Sequence, residues 1–373
     1  MKILLLAGEE SGVIYARQIR ERLVGHEIRG FGDYGFKTED LAVMGVDEVL
    51  KSIFFLLRVK RTMERAIDEW KPDVVCTIDY PGMNLKLAAY AKARGVRTVH
   101  VVCPQVWAWK AGRIPKIERT FDRLCCFLPF EPKIFRPGFA EFVGHPLVEA
   151  FEREAREAGD GREGTSGLTL ALLPGSRLGE ISKHLPVMLE TLKAIGTGEG
   201  VRVAIPAANE RALAAINRIV AVRMVGEEGR IAVQLGGARE LLRRADCAVV
   251  ASGTATLEAA LANCPTVLVY KAAPLFAFIA RRVIKGIRFI GLANLIWDKS
   301  MAAMGKTPPV GDAPMPELLQ ENLTVANLRR ELEPLLTDAG ARQAAKRKLA
   351  DAMKLLKSGG GDAIGAISAA ILG

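Results

Sequence analysis

No stretch of the chain reaches the roughly 18 uninterrupted apolar residues that a membrane-spanning helix needs, so none is expected. The most apolar windows are short or broken: Ile53–Leu57 is a brief run, and the run from Thr266 to Ala280 contains Lys271 and Pro274. The N-terminal apolar run, Ile3 to Ala7, stops at Gly8-Glu9-Glu10, which is too early for a signal peptide. No C-x-x-C pair occurs among Cys76, Cys103, Cys125, Cys126, Cys247 and Cys264. Most of them sit in apolar stretches, which favours reduced core thiols over a disulfide frame or a metal site. His26, His100, His145 and His184 are scattered without zinc-ligand spacing, so no structural metal and no cofactor are expected. Aromatic and basic residues do not interleave as nucleic-acid binders require, which puts nucleic acid last among the partners.

What remains is a chain of 373 residues, half of them apolar and a quarter charged, the composition of a folded protein. At about 150 residues per domain, two domains are the natural prior. The net charge of +10 is spread along the chain, with local pairs at Arg243-Arg244, Arg281-Arg282 and Arg329-Arg330. Solvated helix faces account for it. An anionic membrane surface or phosphorylated substrates would also use it.

Short apolar runs alternate with amphipathic segments. Strands are predicted at Lys2–Ala7, Asp73–Ile78, Arg97–Val102 and Arg123–Leu128, with helices at about 12–24 and 84–94. The segment 149–167 is charged, then glycine-rich, and reads as a linker. The rhythm then restarts: strands at Leu168–Leu173, Arg202–Ile205, Cys247–Ala251 and Thr266–Tyr270, with helices at 181–194, 210–224 and 256–263. β-Branched runs bounded by Gly, Asp and Pro suit buried parallel strands. The fold class is therefore α/β, two doubly wound Rossmann-like halves, with a ligand expected in the cleft at the carboxyl ends of the strands. The expected domains are 1–150, 168–340 and a helical tail, 341–373, that packs back on one of the halves.

Four segments carry chemistry. Ala251-Ser252-Gly253-Thr254-Ala255-Thr256-Leu257-Glu258 follows a strand and opens a helix, so free N–H groups and hydroxyls make an anion site there. The same pattern is also an ordinary helix cap. Leu173-Pro174-Gly175-Ser176-Arg177 repeats the arrangement, with Arg177 placed to fork onto a phosphate or simply to face solvent. Two such loops in one half point to a diphosphate. At the end of a strand, Asp79 in Thr77–Asn84 suits either a general base or a helix cap. Cys103-Pro104-Gln105-Val106-Trp107-Ala108-Trp109-Lys110, with Arg113 and Lys116 beyond, would line a cleft or form a satellite apolar cluster. Two tempting patterns fail. Gly30–Gly35 matches G-x-G-x-x-G but does not follow the first strand, and Gly8–Gly12 is not a nucleophile elbow.

Together the motifs resemble the lipid-A-disaccharide synthase family: AGEESG at 7–12, AVMGVDEVL at 42–50, IDYPGMN at 78–84, CPQVWAWKAGR at 103–113, LPFEPKIF at 128–135, FVGHPL at 142–147, LLPGSRLGEI at 172–181, ASGTATLEAAL at 251–261, ARRVIKGIRFIGLANL at 280–295 and PELLQ at 316–320. The resemblance implies a GT-B fold and an inverting, metal-independent glycosyltransferase of Gram-negative lipid A assembly. The donor would be UDP-2,3-diacylglucosamine and the acceptor 2,3-diacylglucosamine 1-phosphate. For that reaction Asp79 is the candidate base, or a residue that positions the acceptor. The resemblance implies donor contacts at Gly175, Ser176, Arg177, Ser252, Gly253, Thr254, Ala255, Thr256, Glu258, Asn294, Glu317 and Gln320. Ser11, Asn84, Gln105, Trp107, Trp109 and Arg113 would lie on the acceptor side. By that resemblance Ile53, Phe54, Phe55, Leu56 and Leu57 with Arg58 would touch an anionic inner-membrane surface from the cytoplasmic side, where the bare pattern alone favours an ordinary buried helix. The chain departs from the family pattern at Val13, where an aspartate is usual, at Gly82-Met83 in place of Asp-Phe, and in extra residues at about 297–314. These departures are expected near the acceptor side. Another UDP-sugar enzyme of the same fold, an epimerase or glycolipid transferase, is an alternative. So is a non-catalytic nucleotide-sugar-binding protein.

Overall fold

The computed structural model describes residues 1–36, 49–158, 167–196, 200–226, 230–272, 287–357 and 361–373. Most of the AVMGVDEVL segment, the Arg281-Arg282 pair, the first part of the 280–295 segment and residues 159–166 lie outside them; the first part of the expected linker, 149–158, is helical instead. The chain forms two compact units, Met1–Glu149 with Lys357–Gly373, and Ala150–Leu356.

In the first unit, β1 (Lys2–Ala7) leads into α1 (Glu10–Arg22) and β2 (Glu27–Arg29). The long α2 (Val49–Trp70) precedes β3 (Val74–Ile78), α3 (Pro81–Lys92) and β4 (Arg97–Val101). Then come α4 (Ile114–Thr120), β5 (Arg123–Cys126), β6 (Ala140–Phe142) and α5 (Pro146–Ala158), which crosses the boundary into the second unit. The strands are parallel, in the order β2-β1-β3-β4-β5-β6. Side chains alternate across the sheet. Ile3, Leu5 and Ala7 enter one apolar cluster, and Leu4 and Leu6 enter the other. Both faces are covered, so the strands read as unbroken apolar runs rather than alternating ones.

Val59, Met63, Ile67 and Trp70 of α2 recur at helical spacing and are buried on the sheet. The N-terminal end of that helix behaves differently. Phe54 is 72% exposed and Leu57 42%, while Phe55 and Leu56 are half-buried beside Phe36 and its neighbours. The side chain of Ile53 lies outside the described residues.

The second unit holds β7 (Leu168–Leu173), α6 (Leu178–Ile195), β8 (Val201–Ala207), α7 (Glu210–Arg223), β9 (Ile231–Leu235) and α8 (Ala238–Arg244). These are followed by β10 (Cys247–Ala251), α9 (Thr254–Leu261), β11 (Thr266–Tyr270), α10 (Leu292–Ala303) and β12 (Glu317–Leu319). This sheet is also parallel, in the order β12-β11-β10-β7-β8-β9. In the tail, α11 (Val325–Thr337) and nearly all of α12 (Ala339–Lys357) belong to the second unit. The last helix, α13 (Ala363–Leu372), packs Ile367 and Ile371 into the first unit's core. Arg97 holds its end by donating to the carbonyls of Ala370 and Ile371.

In open parallel sheets a crevice forms where the chain reverses the direction in which it adds strands. That point lies between β1 and β3 in the first sheet and between β7 and β10 in the second. All four loops that leave those strand ends carry a motif singled out from the sequence. The short edge strands β2, β6, β9 and β12 were not predicted. They are three to five residues long and only partly buried, so they lack an apolar run.

Candidate active site

At the first switch point, β1 ends beside β3, with Ala7 paired to Ile78. The next residues, Gly8-Glu9 and Asp79-Tyr80, therefore emerge side by side. Asp79 and Tyr80 both have left-handed backbones, φ 48° and 50°. The Asp79 carboxylate accepts the Tyr80 N–H at 2.8 Å and does not cap α3; Tyr80 occupies the cap position, without a side-chain cap bond. Gly8 explains itself here. A Cβ on it would stand 2.5 Å from the Tyr80 ring, so only glycine lets β1 and that ring meet.

Burial raises the Asp79 carboxyl above its usual range, opposed by the Tyr80 N–H. Glu9 is raised too, first by burial and then by the charge of Asp79. A half-buried carboxylate with a raised proton affinity at a strand end is equipped to accept a proton. Asn84, expected among acceptor contacts, is instead fully buried. Its amide donates to the carbonyls of Asp79 (2.8 Å), Ile78 (3.2 Å) and Leu6 (3.3 Å), so it holds the turn from below. Ser11 falls in α1, and its side chain lies outside the described residues. Val13 packs at the edge of the core cluster, and Gly82 is exposed in the first turn of α3.

The aromatic loop after β4 is anchored rather than free. Trp107 is half-buried and donates its indole N–H to Glu131 at 3.1 Å, with its ring edge-on to Phe130 at 5.5 Å. Trp109 is 38% exposed, with the Lys110 ammonium 3.9 Å from the ring centre. Gln105 is exposed, and its carbonyl accepts the N–H groups of Ala108 and Trp109. Arg113 is half-buried in a single 3-10 turn, Ala111–Arg113. Glu131 also accepts the Leu128 N–H at 3.1 Å, and burial pushes its carboxyl up to about 8. Its carboxylate, Cys103 and Cys126 form one buried group whose ligand-type atoms all lie within 4.8 Å of one another. The six cysteines are buried and free.

At the second switch point, the loops after β7 and β10 line a cavity of about 270 Å³. Gly175 and Ser176 form one side, and Ser252, Gly253, Thr254 and Ala255 the other. The start of α9 at Thr254 directs unpaired N–H groups to this end of the sheet. Thr256 is buried and caps locally, its hydroxyl donating to the Gly253 carbonyl at 2.8 Å. Gly175 has φ 117°, and a Cβ there would strike Glu180 at 2.5 Å. Both facts require glycine. Arg177 has an 85% exposed side chain, 3.6 Å from Glu180, at the mouth of α6.

Glu258 is less exposed than its position suggests. It accepts Arg239 Nε at 2.9 Å, and the same guanidinium reaches Glu154 at 2.9 Å. These residues line a second concavity of about 610 Å³ with Gly236 and Gly237, and Gly236 borders both cavities. Arg239 and Glu154 were not singled out from the sequence. Arg239 follows β9, whose exposed, partly polar strand gave no signal.

Asn294 is buried and occupied: its amide donates to Met315 O and Glu317, both 2.8 Å away, and it accepts the Met315 N–H at 2.9 Å. Glu317 accepts the N–H groups of Ile290 and Gly291 at 2.9 and 3.0 Å. Burial raises its carboxyl, with those donors opposing. Asn294 and Glu317 thus brace the start of α10, and Gln320 sits half-buried just past β12 with φ 54°. The extra residues at 297–314, expected near the acceptor side, belong to the second unit. They prolong α10 and are clamped by Arg288, which binds Asp298 at 3.0 Å and the Pro308 carbonyl at 2.8 Å.

Comparison with known proteins decides what this pair of sites belongs to. The family model described as lipid-A-disaccharide synthetase matches residues 3–359. The chain belongs to the lipid-A-disaccharide synthase family. It is 34% identical to the lipid-A-disaccharide synthase of Acidobacterium capsulatum, with 98% of this chain and 94% of that protein covered. The corresponding protein of Myxococcus xanthus is also 34% identical, with 94% and 92% covered. Membership in the lipid-A-disaccharide synthase family makes this chain a glycosyltransferase of lipid A disaccharide formation.

Among solved structures, the calicheamicin glycosyltransferase CalG4 matches with a TM-score of 0.58 at 16% identity, over 100% of this chain and 98% of that one. The UDP-GlcNAc 2-epimerase of Neisseria meningitidis matches with the same TM-score at 11% identity, over all of both chains. These likenesses show the fold, which is GT-B.

Proposed function

We propose that the protein joins UDP-2,3-diacylglucosamine to 2,3-diacylglucosamine 1-phosphate, giving the β-1′,6-linked tetraacyl disaccharide 1-phosphate and UDP with inversion at the anomeric carbon. Asp79 takes the proton of the acceptor 6-hydroxyl as that oxygen attacks. Its half-burial and raised proton affinity support this role. UDP leaves with growing negative charge. The start of α9 and the Gly175-Ser176 turn offer N–H and hydroxyl donors to that charge without a metal, and the exposed Arg177 side chain offers a guanidinium from the start of α6. Glu258 holds the ribose hydroxyls. Asn84, Asn294 and Glu317 support the loops rather than touch substrate.

The observation that carries this reading is the placement of Asp79 and of the anion-binding loops at the two switch points, each at the carboxyl end of its sheet. No helix among the described residues is long and apolar enough to cross a membrane. Exposed Phe54 and Leu57, with Arg58 and Arg61 beside them, support docking on an anionic bilayer surface from the cytoplasmic side.

The test is a mass-spectrometric assay of the purified protein with both lipids in detergent and EDTA. A product with the mass of the disaccharide 1-phosphate supports the reading. Turnover of the UDP-sugar with another acceptor, or its epimerisation, would replace it with one of the alternatives above. UDP binding without any turnover would make the chain a binding protein.

A further inference from the structure

His184 lies on α6, fully buried, ten residues beyond the loop it contacts. Its Nδ1 is 2.8 Å from the Pro174 carbonyl oxygen, and its Nε2 is 2.9 Å from the backbone nitrogen of Lys271. A carbonyl only accepts and a backbone N–H only donates. The ring is therefore the neutral tautomer with its hydrogen on Nδ1. The two bonds span the sheet: Pro174 follows β7, Lys271 follows β11, and β10 runs between them. The Tyr270 ring packs on the imidazole with centres 6.0 Å apart.

The Pro174–Gly175 peptide is trans, so its C=O and the Gly175 N–H point in opposite directions. With the C=O turned toward the buried histidine, the N–H turns away from it, and Gly175 lines the 270 Å³ cavity. We propose that His184 is a positioning residue for the donor's diphosphate: it pins the Pro174–Gly175 peptide so that the Gly175 N–H serves the anion. This rests on reading that cavity as the UDP site. Burial lowers the proton affinity of His184, with the Pro174 carbonyl opposing, which keeps the ring in its acceptor form at neutral pH. Among the described residues, the charged groups around it are Glu180 and Lys183 on its own helix and Lys271 past β11.

The test compares the affinities of the full-length wild type and variants for UDP and for uridine, which lacks the phosphates. H184F and H184L each remove both bonds, one keeping a ring and the other a good helix former; whichever folds, by its circular dichroism, is used. It should lose about tenfold in UDP affinity, the scale of a lost hydrogen bond to a charged group, with uridine binding unchanged. H184N retains an N–H near the place of Nδ1 and should recover most of the loss. Equal losses for UDP and uridine would make His184 merely structural. No loss, or no recovery in H184N, would overturn the proposal as well. A wild type that holds UDP no better than uridine would instead sink the reading of the cavity itself.

Discussion

Asn84 stands beneath Asp79, its amide nitrogen 2.8 Å from the Asp79 carbonyl oxygen, so a buried side chain shapes the turn that presents the proposed base. Two consecutive left-handed residues, Asp79 and Tyr80, depend on that support. Asn84→Ala leaves buried carbonyls unpaired and should destabilise the protein by about 1–3 kcal/mol. Urea unfolding measures it, and turnover should fall with it because Asp79 loses its place.

As the proposed base, Asp79 should also set the acid side of the pH profile. Its carboxyl is raised by burial, and the base works only when ionised. Activity should therefore be lost as the pH falls through a value above the ordinary 3.8 of an aspartate. A kcat/KM profile that stays flat down to that ordinary value would contradict the burial argument.

Glu131 makes a prediction about stability rather than rate. Its folded value, about 8, lies above the ordinary 4.5, so the folded state holds the proton longer than the unfolded chain does. The contribution is full below about 4.5 and declines as the pH rises toward about 8. Urea midpoints at pH 5 and pH 8 should show wild type losing stability over that window, and Glu131→Gln should lose less.

Glu258 is tied to Arg239 at 2.9 Å, and Arg239 keeps Glu154 when Glu258 is removed. Glu258→Ala should then cost only about 1 kcal/mol of stability. Its UDP affinity should fall about tenfold, the loss of a charge-assisted hydrogen bond. Calorimetric titration with UDP checks this, and unchanged affinity would remove Glu258 from the ribose site.

Phe54 and Leu57 face solvent on α2, so a double change to serine should leave the melting midpoint nearly unchanged. Sedimentation with vesicles containing anionic lipid should show weaker binding than wild type. Equal binding would place the membrane contact elsewhere.

Much of the fold was legible because each central strand is an uninterrupted apolar run bounded by turn residues, as in Leu168–Leu173 and Cys247–Ala251. The order of those strands was not, since pairing is a long-range choice that no local pattern records. The four site loops were legible for the same reason: each directly follows a strand. The duties of Asn84 and Asn294 were not, because an amide suits a ligand contact as well as a buried backbone brace. Arg239 and His184 each bond a partner more than 80 residues away, Glu154 and Lys271, and nothing in their own neighbourhoods announces it.

The most direct test of the whole account is the turnover of Asp79→Asn with UDP-2,3-diacylglucosamine and 2,3-diacylglucosamine 1-phosphate, measured beside wild type at saturating substrate. The account predicts disaccharide formation by the wild type and a loss on the order of 10²-fold or more in the variant, with UDP affinity intact. A variant that makes the disaccharide at close to the wild-type rate would contradict it.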